Sequence, residues 1–207
     1  MKVLFQGDSV TDAGRDYNDI HNMGLGYPKY ASEMISNRHP GTQFEFVNLG
    51  IGGNRVSDLY NRLERDFIEI NPDVVSVMIG VNDTWHCSYE KCWMSNEEYE
   101  TYYGNVLHTI KERTHAKILM IEQYLLPVED KEFFRFDVDA KIQVTRKLAR
   151  LYADEYIPLD GIFAEHCIHE SPLAWSPDGV HPNEAGSRLI AGYYADAFDR
   201  IFLSLNK

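Results

Sequence analysis

Five short runs rich in β-branched and other apolar residues recur along this chain, each separated from the next by a stretch of helical periodicity. That alternation restricts the possible folds more than any other feature. Residues 3–6, 44–48, 74–79, 117–122 and 156–158 read as strands, and 27–36, 56–70, 96–113 and 139–154 as helices. A last helix after Pro182 keeps Ile190, Tyr193, Ala197, Ile201 and Leu205 on one face. A strand exposed on one side alternates apolar and polar residues, whereas these runs are nearly continuous, as strands covered on both faces must be. The pattern predicts an α/β fold, a three-layer α/β/α sandwich around a central parallel sheet of about five strands. With 207 residues and no repeat, low-complexity stretch or linker, residues 1–207 are expected to form one domain.

Composition removes several classes of function. Apolar residues at 44% and charged residues at 25% are ordinary globular usage and exclude a disordered chain. Twenty Lys+Arg against 32 Asp+Glu leave a formal charge of −12 with no basic cluster, so neither nucleic acid nor an anionic membrane is expected as a partner. The apolar runs at 74–79 and 118–121 fall far below the roughly 20 residues of a spanning helix. Residues 1–5 are too few for a signal core, and the chain reaches its first strand at once. Cys87, Cys92 and Cys167 are odd in number, which fits reduced thiols and a cytoplasmic location. The least regular stretch, 128–139, reads as a surface loop. Its Phe133, Phe134 and Phe136 either cover a site or a homo-oligomer interface, or pack inward.

Ligands of open parallel sheets sit beyond the carboxyl ends of the strands, so the residues just after each strand bear on chemistry. Gly7-Asp8-Ser9-Val10-Thr11 follows the first, Gly50-Ile51-Gly52-Gly53-Asn54-Arg55 the second, and Gly80-Val81-Asn82-Asp83 the third. Asp178-Gly179-Val180-His181-Pro182 precedes the last helix. This inventory meets the needs of acyl transfer. A serine hydroxyl is a poor nucleophile until an imidazole takes its proton, and the imidazole needs an acceptor to set its tautomer. Ser9 is the expected nucleophile, His181 the base, and Asp178, three residues earlier, the acceptor. The Ser9 and Gly53 backbone N–H groups and the Asn82 amide are the expected oxyanion donors.

On these residues the chain resembles the SGNH hydrolases, the GDSL esterase/lipase superfamily. All four family blocks stand in family order between residues 7 and 182, with Val10 where the family name has Leu and Gly52-Gly53 where many members have Ser-Gly. The resemblance implies a flavodoxin-like sheet, a metal-free mechanism without a cofactor, and a small-molecule ester as substrate. The stretches 5–15, 53–59 and 78–85 are similar to those of intracellular carbohydrate acetylesterases such as acetylxylan esterases, which implies an acetylated oligosaccharide. A lysophospholipase, thioesterase or longer-chain esterase would use the same catalytic set. A non-catalytic flavodoxin-like binding module is the alternative of another class, though a flavin site has no need of His181 with Asp178.

Other residues carry two readings each. Trp85 and Trp175 either form stacking walls for a sugar ring or pack, and Arg55 binds either substrate or a carboxylate of its own loop. Asp8 is expected to accept backbone N–H groups in its turn rather than serve as the triad acid. Neither His86-Cys87…Cys92 nor His166-Cys167…His169 has a zinc-site spacing, so no metal is expected.

Overall fold

The computed structural model describes residues 1–88 and 93–205. The chain runs β1 (Lys2–Gly7), α1 (Ser9–Asp12), α2 (Tyr27–Arg38), β2 (Glu45–Asn48), α3 (Val56–Asn61), β3 (Val74–Met78), α4 (Val81–Ser88) and α5 (Asn96–Arg113). It continues through β4 (Lys117–Ile121), α6 (Arg135–Tyr152), β5 (Glu155–Ile157), α7 (Leu159–His166) and α8 (Glu184–Leu205). The five strands form one sheet in the order β2-β1-β3-β4-β5, and every pairing is parallel. This is the flavodoxin-type order, with the chain reversing direction across the sheet between β1 and β3.

Alternate residues of each strand feed two cores. Val3, Phe5, Val74, Leu119 and Ile121 face α2, α7 and α8, while Leu4, Val75, Val77, Ile118 and Met120 face α3, α5 and α6. Burial on both sides explains why the strands lack alternation in sequence. On the first face Phe5 stacks on Tyr194 at 5.0 Å between ring centres and meets Tyr27 edge-on at 6.0 Å. Those rings hold α2 and α8 against the strand that carries the chain to Ser9.

Gly7 ends β1 where α1 crosses closest to the sheet. A Cβ there would lie 2.3 Å from both the Met78 carbonyl oxygen and Thr11 Oγ1, so only glycine lets the chain turn this tightly. No described helix is long and apolar enough to cross a membrane.

The structure departs from the sequence expectations in three places. The helix expected over 56–70 stops at Asn61, and a π-helical turn, Glu64–Ile68, follows. Arg62, at the break, is turned inward with its guanidinium buried, which a regular amphipathic helix would not do. The sequence reading assigns no helix directly after β3, where Val81–Ser88 forms α4. The stretch 128–139 is a 3₁₀ helix, Glu129–Phe134, running straight into α6 rather than a loop. Of its aromatics Phe134 packs inward, while Phe133 and Phe136 are exposed.

Candidate active site

All four sequence blocks lie at the carboxyl edge of the sheet. Ser9 is the first residue of α1, and Asp8 before it caps the helix by accepting the Val10 N–H at 3.0 Å. His181 comes from the loop before α8, and its Nε2 stands 2.8 Å from Ser9 Oγ across 172 residues of sequence. Its Nδ1 is 2.7 Å from Asp178 Oδ2. The other carboxylate oxygen of Asp178 accepts the backbone N–H of Val180 at 3.0 Å and of His181 at 2.8 Å.

These bonds decide the charge on Asp178. Partial burial pushes its pKa up, but the His181 ring and the two backbone N–H groups outweigh that and bring it down to about 2. Ionised throughout the neutral range, Asp178 is an acceptor only. His181 therefore carries its proton on Nδ1, and the Nε2 lone pair faces the Ser9 hydroxyl.

The loop after β2 passes beside Ser9. Gly53 has φ +80°, a left-handed conformation that a side chain would strain. The preceding peptide is held by Asp12, whose Oδ2 accepts the Gly52 N–H at 2.9 Å. Asn82 on α4 donates from Nδ2 to the Asn54 carbonyl at 3.1 Å, which ties the third block to the second. His86, one turn further along α4, places Nε2 3.7 Å from where a Cβ on Gly53 would be.

Asp83 lies beneath this junction, fully buried, with the Val56 N–H 3.3 and 3.2 Å from its two oxygens. Burial raises its pKa to about 8, against the pull of the Val56 N–H, Lys141 and Arg55. The same cause raises Asp8 to about 6. Asp83 therefore holds its proton to higher pH than Asp8. An acid whose folded pKa is raised contributes stability below its unfolded value and loses it as pH climbs to the folded one. Relative to Asp83→Asn, the native protein should lose on the order of 3 kcal/mol of stability between pH 5 and pH 8. Urea unfolding of both proteins across that range measures it, and parallel curves would contradict it.

Of Trp85 and Trp175, Trp85 is the one that borders His181. Its ring is 5.8 Å from that of His181 and 5.6 Å from that of Phe134, with Lys131 Nζ 5.1 Å from its centre. Trp175 packs against His166 and Phe163 of α7 at 5.1 and 6.5 Å, and its carbonyl accepts the Asn183 N–H at the start of α8. Its position is the packing alternative. Arg55 likewise meets a carboxylate of its own turn, Asp58, at 3.8 Å. Cys92 and the side chain of Cys87 lie outside the described residues. Among the described residues no group of three or more His, Cys, Asp or Glu could hold a metal ion.

A cavity of about 460 Å³ opens beside Ser9 and His181, walled by Leu25, Tyr30, Pro182, Asn183, Glu184 and Ser187. It combines an aromatic face with polar side chains, the lining typical of a small-molecule site.

Two supports of the His181 loop escaped sequence reasoning. The buried Ser176 hydroxyl lies 2.7 Å from the His181 carbonyl and 3.2 Å from Asp178 Oδ1. Tyr124, just past β4, donates to the Val180 carbonyl at 2.7 Å. Ser176, two residues before Asp178, had a local signal in its spacing. Tyr124 had none, because only the tertiary fold brings it there.

Residues 5–189 match the GDSL-like Lipase/Acylhydrolase family. An acetylxylan esterase of Geobacillus stearothermophilus is 32% identical over 201 residues, covering 92% of this chain and 90% of its own. A protein of Parabacteroides merdae assigned as a GDSL-like lipase has a crystal structure similar at TM-score 0.88, with 32% identity over 95% of this chain and 94% of that one. Two catalytic mutants of the acetylxylan esterase Axe2 from Geobacillus stearothermophilus, one serine-to-alanine and one histidine-to-alanine, align at TM-scores of 0.85 and 0.84. Both are 29% identical and cover 96% of this chain and 92% of theirs.

Proposed function

The chain belongs to the GDSL-like lipase/acylhydrolase family and is a carboxylic ester hydrolase, and from that premise we propose that it removes acetyl groups from acetylated carbohydrate through a Ser9–His181–Asp178 triad. The observation that carries this is the unbroken relay from Ser9 Oγ through His181 to Asp178, with links of 2.8 and 2.7 Å, opening on the cavity. The serine and histidine replaced in the relative's catalytic mutants support a mechanism of this kind.

In the first half-reaction His181 Nε2 takes the Ser9 proton as Oγ attacks the acyl carbonyl. Negative charge gathers on the carbonyl oxygen, where the Ser9 and Gly53 N–H groups and the second N–H of Asn82 stabilise it. Protonated His181, held by Asp178, then gives its proton to the departing alcohol oxygen. In the second half-reaction His181 takes a proton from water, hydroxide attacks the acyl-enzyme, and Ser9 is regenerated with release of the acid.

The lining of the cavity supports a hydroxylated alcohol. The cavity beside His181 offers the departing alcohol the Tyr30 ring together with Asn183, Glu184 and Ser187. For the acyl group, the acetylxylan esterase relative supports acetyl. The cytoplasmic location expected from the cysteine usage belongs to the same proposal.

Acetate release from acetylated xylo-oligosaccharides, with rates on p-nitrophenyl esters falling from acetate to octanoate, is the expected result. Rates rising with chain length, or lysophospholipid or thioester turnover exceeding acetate release, would overturn the acetyl assignment.

A further inference from the structure

Buried charge is concentrated at one place the mechanism does not use. Arg62 stands at the break after α3, with its side chain only 8% exposed, and its guanidinium reaches three separate segments. Nη2 donates to the Gly7 carbonyl at 3.3 Å, two residues before Ser9. Nη1 donates to the Leu49 carbonyl at 3.0 Å and to Gln6 Oε1 at 2.9 Å. Nε donates to Asn54 Oδ1 at 3.0 Å. Asn54 is the residue after Gly53, and its carbonyl is the acceptor of the Asn82 amide.

One rigid group thus spans the end of the nucleophile strand and both ends of the loop that carries Gly53. Asp66, buried as well, meets Nη1 at 2.8 Å and supplies the compensating charge. Arg65 meets the same carboxylate at 2.5 Å, and the two arginines hold its pKa below the usual range against the opposing effect of burial. Gln6, on the strand itself, closes the ring by donating to the Asp66 carbonyl at 2.8 Å.

We propose that Arg62 is a positioning residue for the oxyanion donors: it sets the distance between the Ser9 turn and the Gly53–Asn54 peptide, and through Asn54 the placement of the Asn82 amide. The inference rests on the roles given to Ser9, Gly53 and Asn82 above. Its physical basis is geometric. Oxyanion donors stabilise charge only within a few tenths of an ångström of the right place, and beside the bonds from the Ile51 N–H to the Gly7 carbonyl and from the Gly52 N–H to Asp12, the guanidinium is the group that reaches both Gly7 and Asn54. A guanidinium presents its donors in a fixed planar fork, so its five acceptors are held in one relation to each other. A lysine ammonium satisfies Asp66 but cannot hold the others at those angles.

The test is a double-mutant cycle on Arg62→Lys and Asn82→Ala, with Asn54→Ala as a second probe. Asn54→Ala removes one tether from a partly exposed side chain and leaves the buried ion pair intact. Arg62→Lys is expected to lower kcat by about 10- to 100-fold with KM nearly unchanged. Asn54→Ala should act in the same direction by less. Affinity for a boronic acid that mimics the tetrahedral intermediate should fall in proportion to kcat/KM. In the Asn82→Ala background, Arg62→Lys should cost less than about threefold, because the donors it positions are already impaired.

Effects that multiply independently in the double mutant, or a loss confined to thermal stability, would overturn the inference and leave the esterase reading standing. Asn82→Ala with full activity would overturn the inference together with the oxyanion role given to Asn82, because the donors would then have another identity, while the esterase activity itself would stand.

Discussion

Ser9→Ala is expected to lower turnover of p-nitrophenyl acetate by about 10⁶-fold while leaving the protein folded. The Ser9 hydroxyl is placed to form a covalent acyl bond, because His181 Nε2 lies 2.8 Å from it and can take its proton. Without Oγ, His181 has no nucleophile to activate except water, and the donors that remain account for a small residual rate. Folding should be unaffected because Ser9 is the first residue of α1, whose cap is supplied by Asp8 rather than by the serine. Alanine suits a helical position. Parallel thermal unfolding curves with loss of labelling by a fluorophosphonate probe are the expected pair of results. Undiminished turnover would remove Ser9 from the mechanism.

Asp178→Asn should cost about 10⁴-fold in kcat with little change in KM. Asp178 receives hydrogen bonds from the His181 ring, the Ser176 hydroxyl and two backbone N–H groups, and an amide of the same shape keeps the backbone pair through its oxygen. Its NH₂ group then faces His181 Nδ1 as a donor. The imidazole must answer with a lone pair at Nδ1, which moves its proton to Nε2, where it can no longer accept from Ser9. A separate readout follows from the pKa of about 2. A carboxylate depressed in the folded state contributes stability above its unfolded pKa, near 4, and loses it as pH falls towards 2. Acid unfolding of Asp178→Asn should therefore be shallower than that of the native protein between pH 4 and pH 2. Equal kcat, or identical acid curves, would count against Asp178 as the partner of His181.

Much of the fold was legible because its signals are local. A parallel strand buried on both faces must be apolar along its whole length, so β1 to β5 announce themselves within one or two residues of their ends. The blocks at the strand ends were legible for a related reason. Acyl transfer demands particular residue types, and Ser9, Gly53, Asn82, Asp178 and His181 are each followed or preceded by glycines or turn residues in short recognisable runs.

The supports of the site were less so. Arg62 and Asp66 fall between Leu59, Leu63 and Phe67 on the inward side of the pattern, and a charged pair on an apolar stripe was the available sign that the helix would break. Tyr124 had no such sign, since its partner Val180 lies 56 residues away.

Sequence periodicity alone determined the number and kind of layers, and the spacing of four short blocks determined which side chains had the chemistry for acyl transfer. Tertiary structure decided between residues of the same type. Trp85 stands beside His181 while Trp175 packs on α7, and Phe134 is buried while Phe136 faces out. Arg62 is enclosed where Arg65, three residues on, is 70% exposed. The physical reason is that periodicity is written in each segment's own residues. Which of two tryptophans or arginines is covered depends on the surface that the segment meets, and that surface is made by residues far away in the chain.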